Sequence, residues 1–274
     1  MQKGDIFRKS SITGLKPAIP VKSSLKELKE ALLQSIFCET KDLKKAAVLF
    51  SGGIDSSLIA KLVSEKVKIK LFTVGTEKSA AVERAKKYAK LMHLDLHIKI
   101  LSAEEIGKEV AKIEKIIKTD NKLQLSIATP IYFALNEVKD SGFNTVFCGQ
   151  GADELFFGYD EFRRALESGK NYSYLDDLRW NKLLNLWGDN LKRDFALAKY
   201  FHLELKAPYL EKEFIIQALA FDAKQNVKSK EDFLRKRILR KLSVSLGLPK
   251  EISLERKKAI QYDSGISKIL EKLV

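Results

Sequence analysis

Cysteine, histidine and methionine are scarce in this chain, and their scarcity removes several kinds of chemistry. Among 274 residues there are two cysteines, three histidines and two methionines. Cys38 and Cys148 are too few for a disulfide framework and do not have metal-thiolate spacing. Cys148 closes an apolar run and reads as buried strand filler rather than as a nucleophile. His93, His97 and His202 are scattered and match no metal-ligand pattern, so no role is assigned to them. No charge-free apolar run is long enough to span a bilayer. The first residues, Met1-Gln2-Lys3-Gly4-Asp5, lack the apolar stretch of a secretory signal. These absences set the expectation of a cytoplasmic protein in a reducing compartment, with no membrane association.

Acidic residues are in deficit as well: 36 of them face 50 basic ones, for a net charge of +14. A field of that sign attracts nucleic acid or polyphosphate ligands. The lysines, however, are spread along stretches such as Lys86-Lys87, Lys112, Lys115 and Lys118, interleaved with Glu. That is the pattern of a solvated helix face rather than of a dedicated RNA surface. Apolar residues are plentiful. At 45% of a chain this long they supply a sizeable core, as one large domain or two small ones.

Residues 1 to about 22, polar with Pro17 and Pro20, read as an extended arm. Ser24-Leu25-Lys26-Glu27 has the form of a capping box, and Leu25, Leu28, Leu32 and Ile36 follow at helical spacing. Strands are expected at Ala47–Phe50, Lys68–Gly75, Leu94–Leu101 and Thr145–Cys148. Helices are expected near Ser56–Glu65, Ser79–Met92, Ser102–Lys118 and Ser126–Asp140. This alternation implies an α/β fold, a parallel sheet with right-handed crossovers and helices on both faces. After about residue 160 the strand signals stop. Helices are then expected at Tyr174–Leu186, Lys192–Tyr200, Lys212–Phe221 and Lys230–Leu246, with Trp180, Trp187, Leu183, Leu184 and Leu186 filling the core between them. The chain therefore reads as an arm followed by one domain over 23–274, with an α/β core at about 45–160 and a helical part at about 161–274.

The most informative segment is Ser51-Gly52-Gly53-Ile54-Asp55-Ser56-Ser57, entered from Ala47-Val48-Leu49-Phe50. It is a buried strand, a small-residue turn and a helix start, with one acid and three hydroxyls in the turn. Glycine permits positive φ and close backbone approach to a ligand. The helix start offers N–H groups and partial positive charge to phosphate oxygens. No Gly-Lys-Ser/Thr closes the loop, so the segment is not a Walker A motif. The second turn, Thr145-Val146-Phe147-Cys148-Gly149-Gln150-Gly151-Ala152-Asp153-Glu154, repeats the logic and continues to Gly158-Tyr159. Two such turns on neighbouring strands are expected to bring Asp55 and Asp153 toward one cleft. A hard cation such as Mg2+ would sit between them with phosphate oxygens.

Together these residues resemble the synthetase domain of the asparagine synthetase family, within the PP-loop ATP pyrophosphatases. Ser51–Ser57 resembles the family's pyrophosphate loop, and Phe72-Thr73-Val74-Gly75 the strand end that holds adenine. Gly149–Tyr159 resembles its Gly-Glu-Gly-x-Asp-Glu-x-x-x-Gly-Tyr segment, and Glu204–Glu211 its Glu-x-Arg-x-Pro-Phe-Leu-Asp segment. Arg256-Lys257-Lys258 with Gln261–Gly265 resembles its late Arg-x-Lys segment and Ser-Gly ending. The likeness runs from about residue 25 to about 270.

The resemblance implies specific roles. Ser51, Gly52, Gly53, Ser56 and Ser57 would hold the β- and γ-phosphates of ATP, and Asp55 and Asp153 would hold Mg2+. The backbone near Phe50, Val74 and Gly149 would contact adenosine. Lys258 and Arg256 would neutralise charge on the α-phosphate and the leaving group. The implied reaction is adenylation of a small carboxylate, by default the side chain of aspartate, with release of pyrophosphate. Ammonia or another amine then displaces AMP to give an amide, as in asparagine biosynthesis.

Three departures qualify the likeness. Position 2 is Gln2, where a glutaminase domain would place its cysteine, and few residues precede the synthetase-like part. Free ammonia, a separate glutaminase chain or a different amine is therefore expected to supply the nitrogen. Gln150 stands where the family carries Glu, and an uncharged amide accepts a hydrogen bond without taking up a proton. Lys206, Glu211 and Asp263 replace the usual Arg, Asp and Gly, and Lys206 forfeits the guanidinium's planar fork. Two other readings compete: a PP-loop ligase or modification enzyme acting on RNA, and a catalytically weak ATP-binding regulator.

Overall fold

The computed structural model describes residues 13–15, 22–77, 79–256 and 264–273. In chain order the elements begin with α1 (Leu25–Thr40), β1 (Lys45–Leu49), α2 (Ile54–Ser64), β2 (Lys68–Gly75), α3 (Ala80–Leu91) and β3 (Leu96–Ile100). There follow α4 (Ala103–Ile117), α5 (Lys122–Asp140), β4 (Thr145–Phe147), α6 (Ala152–Leu155), α7 (Asp160–Glu167) and α8 (Tyr172–Leu186). A π-helical turn (Trp187–Leu191) leads into α9 (Lys192–Tyr200) and β5 (Glu204–Lys206), then a 3-10 turn (Pro208–Leu210) and α10 (Lys212–Leu219). The last are α11 (Ala223–Asn226), α12 (Arg237–Ser245), α13 (Lys250–Ser253) and α14 (Ile266–Leu273).

These elements form two compact units, each drawn from interleaved stretches of chain. The sheet unit takes its described residues from Asp42–Cys148, Asn190–Lys206 and Lys258–Val274. The helical unit takes them from Met1–Lys41, Gly149–Asp189 and Ala207–Lys257.

In the sheet unit five parallel strands lie in the order β3-β2-β1-β4-β5. Ala46, Ala47 and Val48 of β1 are fully buried, and β2 is buried without interruption from Leu71 to Gly75. Burial of successive residues, which point to opposite sides, means that both faces are covered, as an all-parallel sheet requires. β1 is flanked by β2 on one side and β4 on the other, so the chain reverses its direction of travel across the sheet at β1/β4. In an open α/β sheet that switch point opens a crevice at the strands' carboxyl ends.

The helical unit starts with α1, whose N-terminus carries the capping box foreseen at Ser24 and Glu27, both reciprocal bonds being present. Leu28, Leu32 and Ile36 form its fully buried stripe. Of the N-terminal arm, most of 1–22 lies outside the described residues, and Leu15 is buried.

Three expectations are corrected. β5 is a strand beyond residue 160; three residues with a charge at each end are too short to show a period. The helix expected at Lys230–Leu246 begins only at Arg237, because Asp232 accepts the N–H groups of Lys228, Leu234 and Arg235 and bends the preceding chain into a turn. Leu183 and Leu186 are buried, but Trp180, Leu184 and Trp187 are only half-buried.

Leu58 is fully buried on the face of α2 that packs on β1 and β2. Leu58→Ala should cost about 2–5 kcal/mol of unfolding free energy, a large share of the roughly 5–15 kcal/mol typical of a domain. Denaturant unfolding measures it.

Candidate active site

The apolar run that forms β1 ends at Phe50, whose N–H donates to the Phe72 carbonyl at 2.9 Å and whose own carbonyl accepts the Thr73 hydroxyl. The carboxyl ends of β1 and β2 are thereby tied side by side, and Val74 lies on the second of them. Ser51-Gly52-Gly53 then turns the chain into α2. The Ser56 hydroxyl accepts the Ser51 N–H at 3.2 Å and donates to the Gly53 carbonyl at 3.2 Å; the Ser51 hydroxyl accepts the Gly53 N–H at 3.3 Å. Helix α2 begins at Gly53 with no side-chain cap, so its first turn carries N–H groups without intrahelical partners. Asp55 is half-buried in that turn. Ser57 is fully buried, and its Oγ has no hydrogen-bond partner among the described residues. A buried hydroxyl in that state, beside an uncapped helix start, suits an anionic ligand.

Phe50, Ser51, Gly52, Gly53, Asp55, Ser56, Ser57 and Val74 are thus gathered at the carboxyl ends of the two inner strands β1 and β2. β4 ends beside β1, with Val48 in register with Phe147. The Cys148 N–H bonds to the Lys206 carbonyl at 2.9 Å, and Cys148 is buried, as its place in the apolar run suggests.

Gly149, Gln150, Asp153 and Arg256 belong to the helical unit. Gln150 is half-buried in the turn before α6. Asp153 forms an ion pair with Lys236 at 2.7 Å, and the ammonium side chain is only 1% exposed. Gly158 makes room for this pair: a Cβ there would collide with both the Asp153 carboxylate and Cε of Lys236. Glu154, 2% exposed, accepts the Tyr159 hydroxyl. Arg235 and Lys236 both have φ of 48°, a left-handed conformation that costs a non-glycine residue about 1–3 kcal/mol. The surroundings hold them there. Arg235 donates to the Gly158 carbonyl at 3.2 Å and to Asp160 at 2.9 Å, while Arg240 donates to the Arg235 carbonyl at 2.8 Å. Asp160, between the guanidinium groups of Arg163, Arg164 and Arg235, is held down to about 2, chiefly by its bond from Arg163. Arg256 is exposed, with its guanidinium 4.6 Å from the Phe233 ring centre. Lys258, expected to be catalytic, lies outside the described residues together with Gln261, Tyr262 and Asp263.

The family model described as asparagine synthase matches residues 27–201 and 167–274. The chain belongs to the asparagine synthase family. A putative glutamine-hydrolysing asparagine synthetase of Methanocaldococcus jannaschii is 33% identical over 276 residues, covering 90% of this chain and 50% of that protein. An asparagine synthetase of Brassica oleracea is 28% identical over 237 residues, covering 80% of this chain and 39% of its own. The chain spans half or less of the length of these curated relatives. Among solved structures, the U34-tRNA thiolase NcsA of Methanococcus maripaludis superposes with a TM-score of 0.46 at 14% identity, over 91% of this chain and 73% of that one.

Two features of this asparagine synthase family member escaped sequence reasoning. Lys236 is one lysine among many, and its partner Asp153 is distant in sequence. The turn that positions Lys236 is organised by Asp232, an acid that periodicity alone places on a helix. Asp55 and Asp153, in separate units, are each a carboxylate that keeps some solvent exposure, which is chemistry suited to a hard cation. No group of three or more His, Cys, Asp or Glu side chains suited to a metal ion occurs among the described residues.

Asp232 yields a pH prediction. Burial alone would raise its pKa. The Arg237 guanidinium and the backbone N–H groups of Lys228 and Arg235 outweigh that and hold it below the ordinary value. A depressed folded-state pKa stabilises the fold above the unfolded value of about 3.9 and loses that contribution as pH falls through the folded one. The stability gap between the parent chain and Asp232→Asn should therefore be constant from pH 7 to about 5 and shrink below about 4. Denaturant midpoints across that range measure it.

Proposed function

We propose that this chain is an ATP-dependent, AMP-forming amide ligase whose acid substrate is, by family default, aspartate. The observation that carries the reading is the Ser51–Ser57 turn. In a member of the asparagine synthase family, it places an uncapped helix start and an unpartnered buried hydroxyl at the carboxyl end of the central strand. A triphosphate is the ligand that such a turn suits.

In the first step a carboxylate oxygen of the acid attacks the α-phosphorus of ATP. A new P–O bond forms and pyrophosphate departs. In the second, an amine nitrogen attacks the acyl carbon, the bond to AMP breaks, and the amide forms after loss of a proton. Adenylation is needed because a free carboxylate has no good leaving group. Ser51, Gly52, Gly53, Ser56 and Ser57 bind the departing β- and γ-phosphates, and the backbone near Phe50, Val74 and Gly149 orients adenosine. Asp55 and Asp153 would hold Mg2+, which when bound neutralises phosphate charge. Lys236, in contact with Asp153, fixes the position of that carboxylate. Arg256 and Lys258 offset negative charge on the α-phosphate and the leaving group. The nucleophile is ammonia or another amine.

With ATP, Mg2+ and ammonia, aspartate should trigger release of AMP and pyrophosphate in step with asparagine. Pyrophosphate release that requires RNA and ignores amino acids would transfer the chain to the RNA-modifying enzymes. Tight ATP binding with no turnover on any acid would make it a regulator.

Gln150 cannot accept the proton that the amine sheds. Gln150→Glu should speed amide formation relative to adenylation and add an acid limb to its pH profile. An unchanged rate and profile would show that position 150 takes no part in proton transfer.

A further inference from the structure

We propose that Arg84 is the positioning residue of the Ser51–Ser57 loop and confers its preference for the phosphate chain of ATP. Arg84 lies in α3, half-buried, and both its Nε and its Nη2 donate to the Ser51 carbonyl, at 3.1 and 3.0 Å. The loop rests directly on this helix. Gly52 has φ of +69°, and a Cβ on it would lie 3.1 Å from the Ala85 nitrogen and from the Arg84 carbonyl carbon, so any other residue would be strained and crowded there.

The consequence follows from the peptide plane. The Ser51 carbonyl and the Gly52 N–H belong to one planar trans peptide and point in opposite directions. Clasping the carbonyl toward α3 therefore turns the Gly52 N–H away from α3. Of the loop's first three N–H groups, that of Ser51 is spent on the Ser56 hydroxyl and that of Gly53 on the Ser51 hydroxyl. The Gly52 N–H, on a buried residue, has no partner among the described residues. It is the donor left for a ligand.

Arg84 acts on it in two ways. A charge-assisted bond to the carbonyl polarises the peptide and strengthens its N–H as a donor. It also prevents the carbonyl from rotating into the loop, where its oxygen would repel an anion. The neighbouring Glu83 does not compete for the guanidinium in this arrangement; its carboxylate is bound by Lys86 at 2.7 Å. Lysine at position 84 would keep the charge but lose the two-donor clasp.

The inference rests on the nucleotide reading of the loop, and calorimetric titration of the full chain with Mg-ATP and with AMP separates the two. Parent protein that binds neither nucleotide overturns both ideas. If the parent binds ATP, Arg84→Met should weaken ATP binding about tenfold or more, the worth of a charge-assisted bond, and leave AMP affinity within twofold. Arg84→Lys should recover only part of the loss, and its thermal midpoint controls for folding should Arg84→Met be unstable. Equal losses for ATP and AMP, no loss for either, or full recovery by lysine would overturn the role given to Arg84.

Discussion

Burial of β1 on both faces is the constraint from which the candidate site follows. A strand covered on both sides can present polar groups only beyond its end, and Phe50 and Ser51 mark that end. The backbone there leaves the sheet between two parallel neighbours, β2 and β4, and turns through Ser51, Gly52 and Gly53 into α2. Each hydroxyl in the turn is either used to close it, as with Ser51 and Ser56, or held in reserve, as with Ser57. The chemistry is thus concentrated where the hydrophobic core ends.

The helical unit is organised differently, around buried cations. Arg179 donates to the carbonyls of Phe221 and Leu219, and Arg240 to those of Leu234, Arg235, Ser253 and Glu255. Each guanidinium fills space that apolar groups could fill, yet it satisfies carbonyls that short helices leave open. Removing one such group would strand several acceptors at once, which is more costly than losing a single contact. Lys236 is the exception in this set, because its recorded partner is a carboxylate that the family resemblance marks as functional.

Much of the fold was legible from residue order, and the reasons differ by element. β2 was readable to the residue at Lys68–Gly75, since a long apolar run ends in glycine. Helix α1 announced itself through Ser24 and Glu27. β5 could not be seen, because its strand character comes from pairing with β4 and not from its own three residues. The left-handed turn at Arg235-Lys236 was hidden because side-chain bonds set it, Asp232 and Arg240 from within the segment and the Gly158 carbonyl from a distant one, and none of these shows as periodicity. Glycines and hydroxyls pointed to the candidate residues; the cations in contact with Ser51 and with Asp153, Arg84 and Lys236 respectively, did not stand out among fifty basic residues.

The interleaving of the two units has a consequence for how the polypeptide attains its fold. Residues 190–206 complete the sheet only after the stretch from 149 to 189 has gone to the helical unit, and the chain then returns there from 207 onward. No single cut frees either unit as one continuous fragment. Contacts of long sequence separation must therefore form before either half is whole, which favours slow, concerted assembly over independent maturation of the halves.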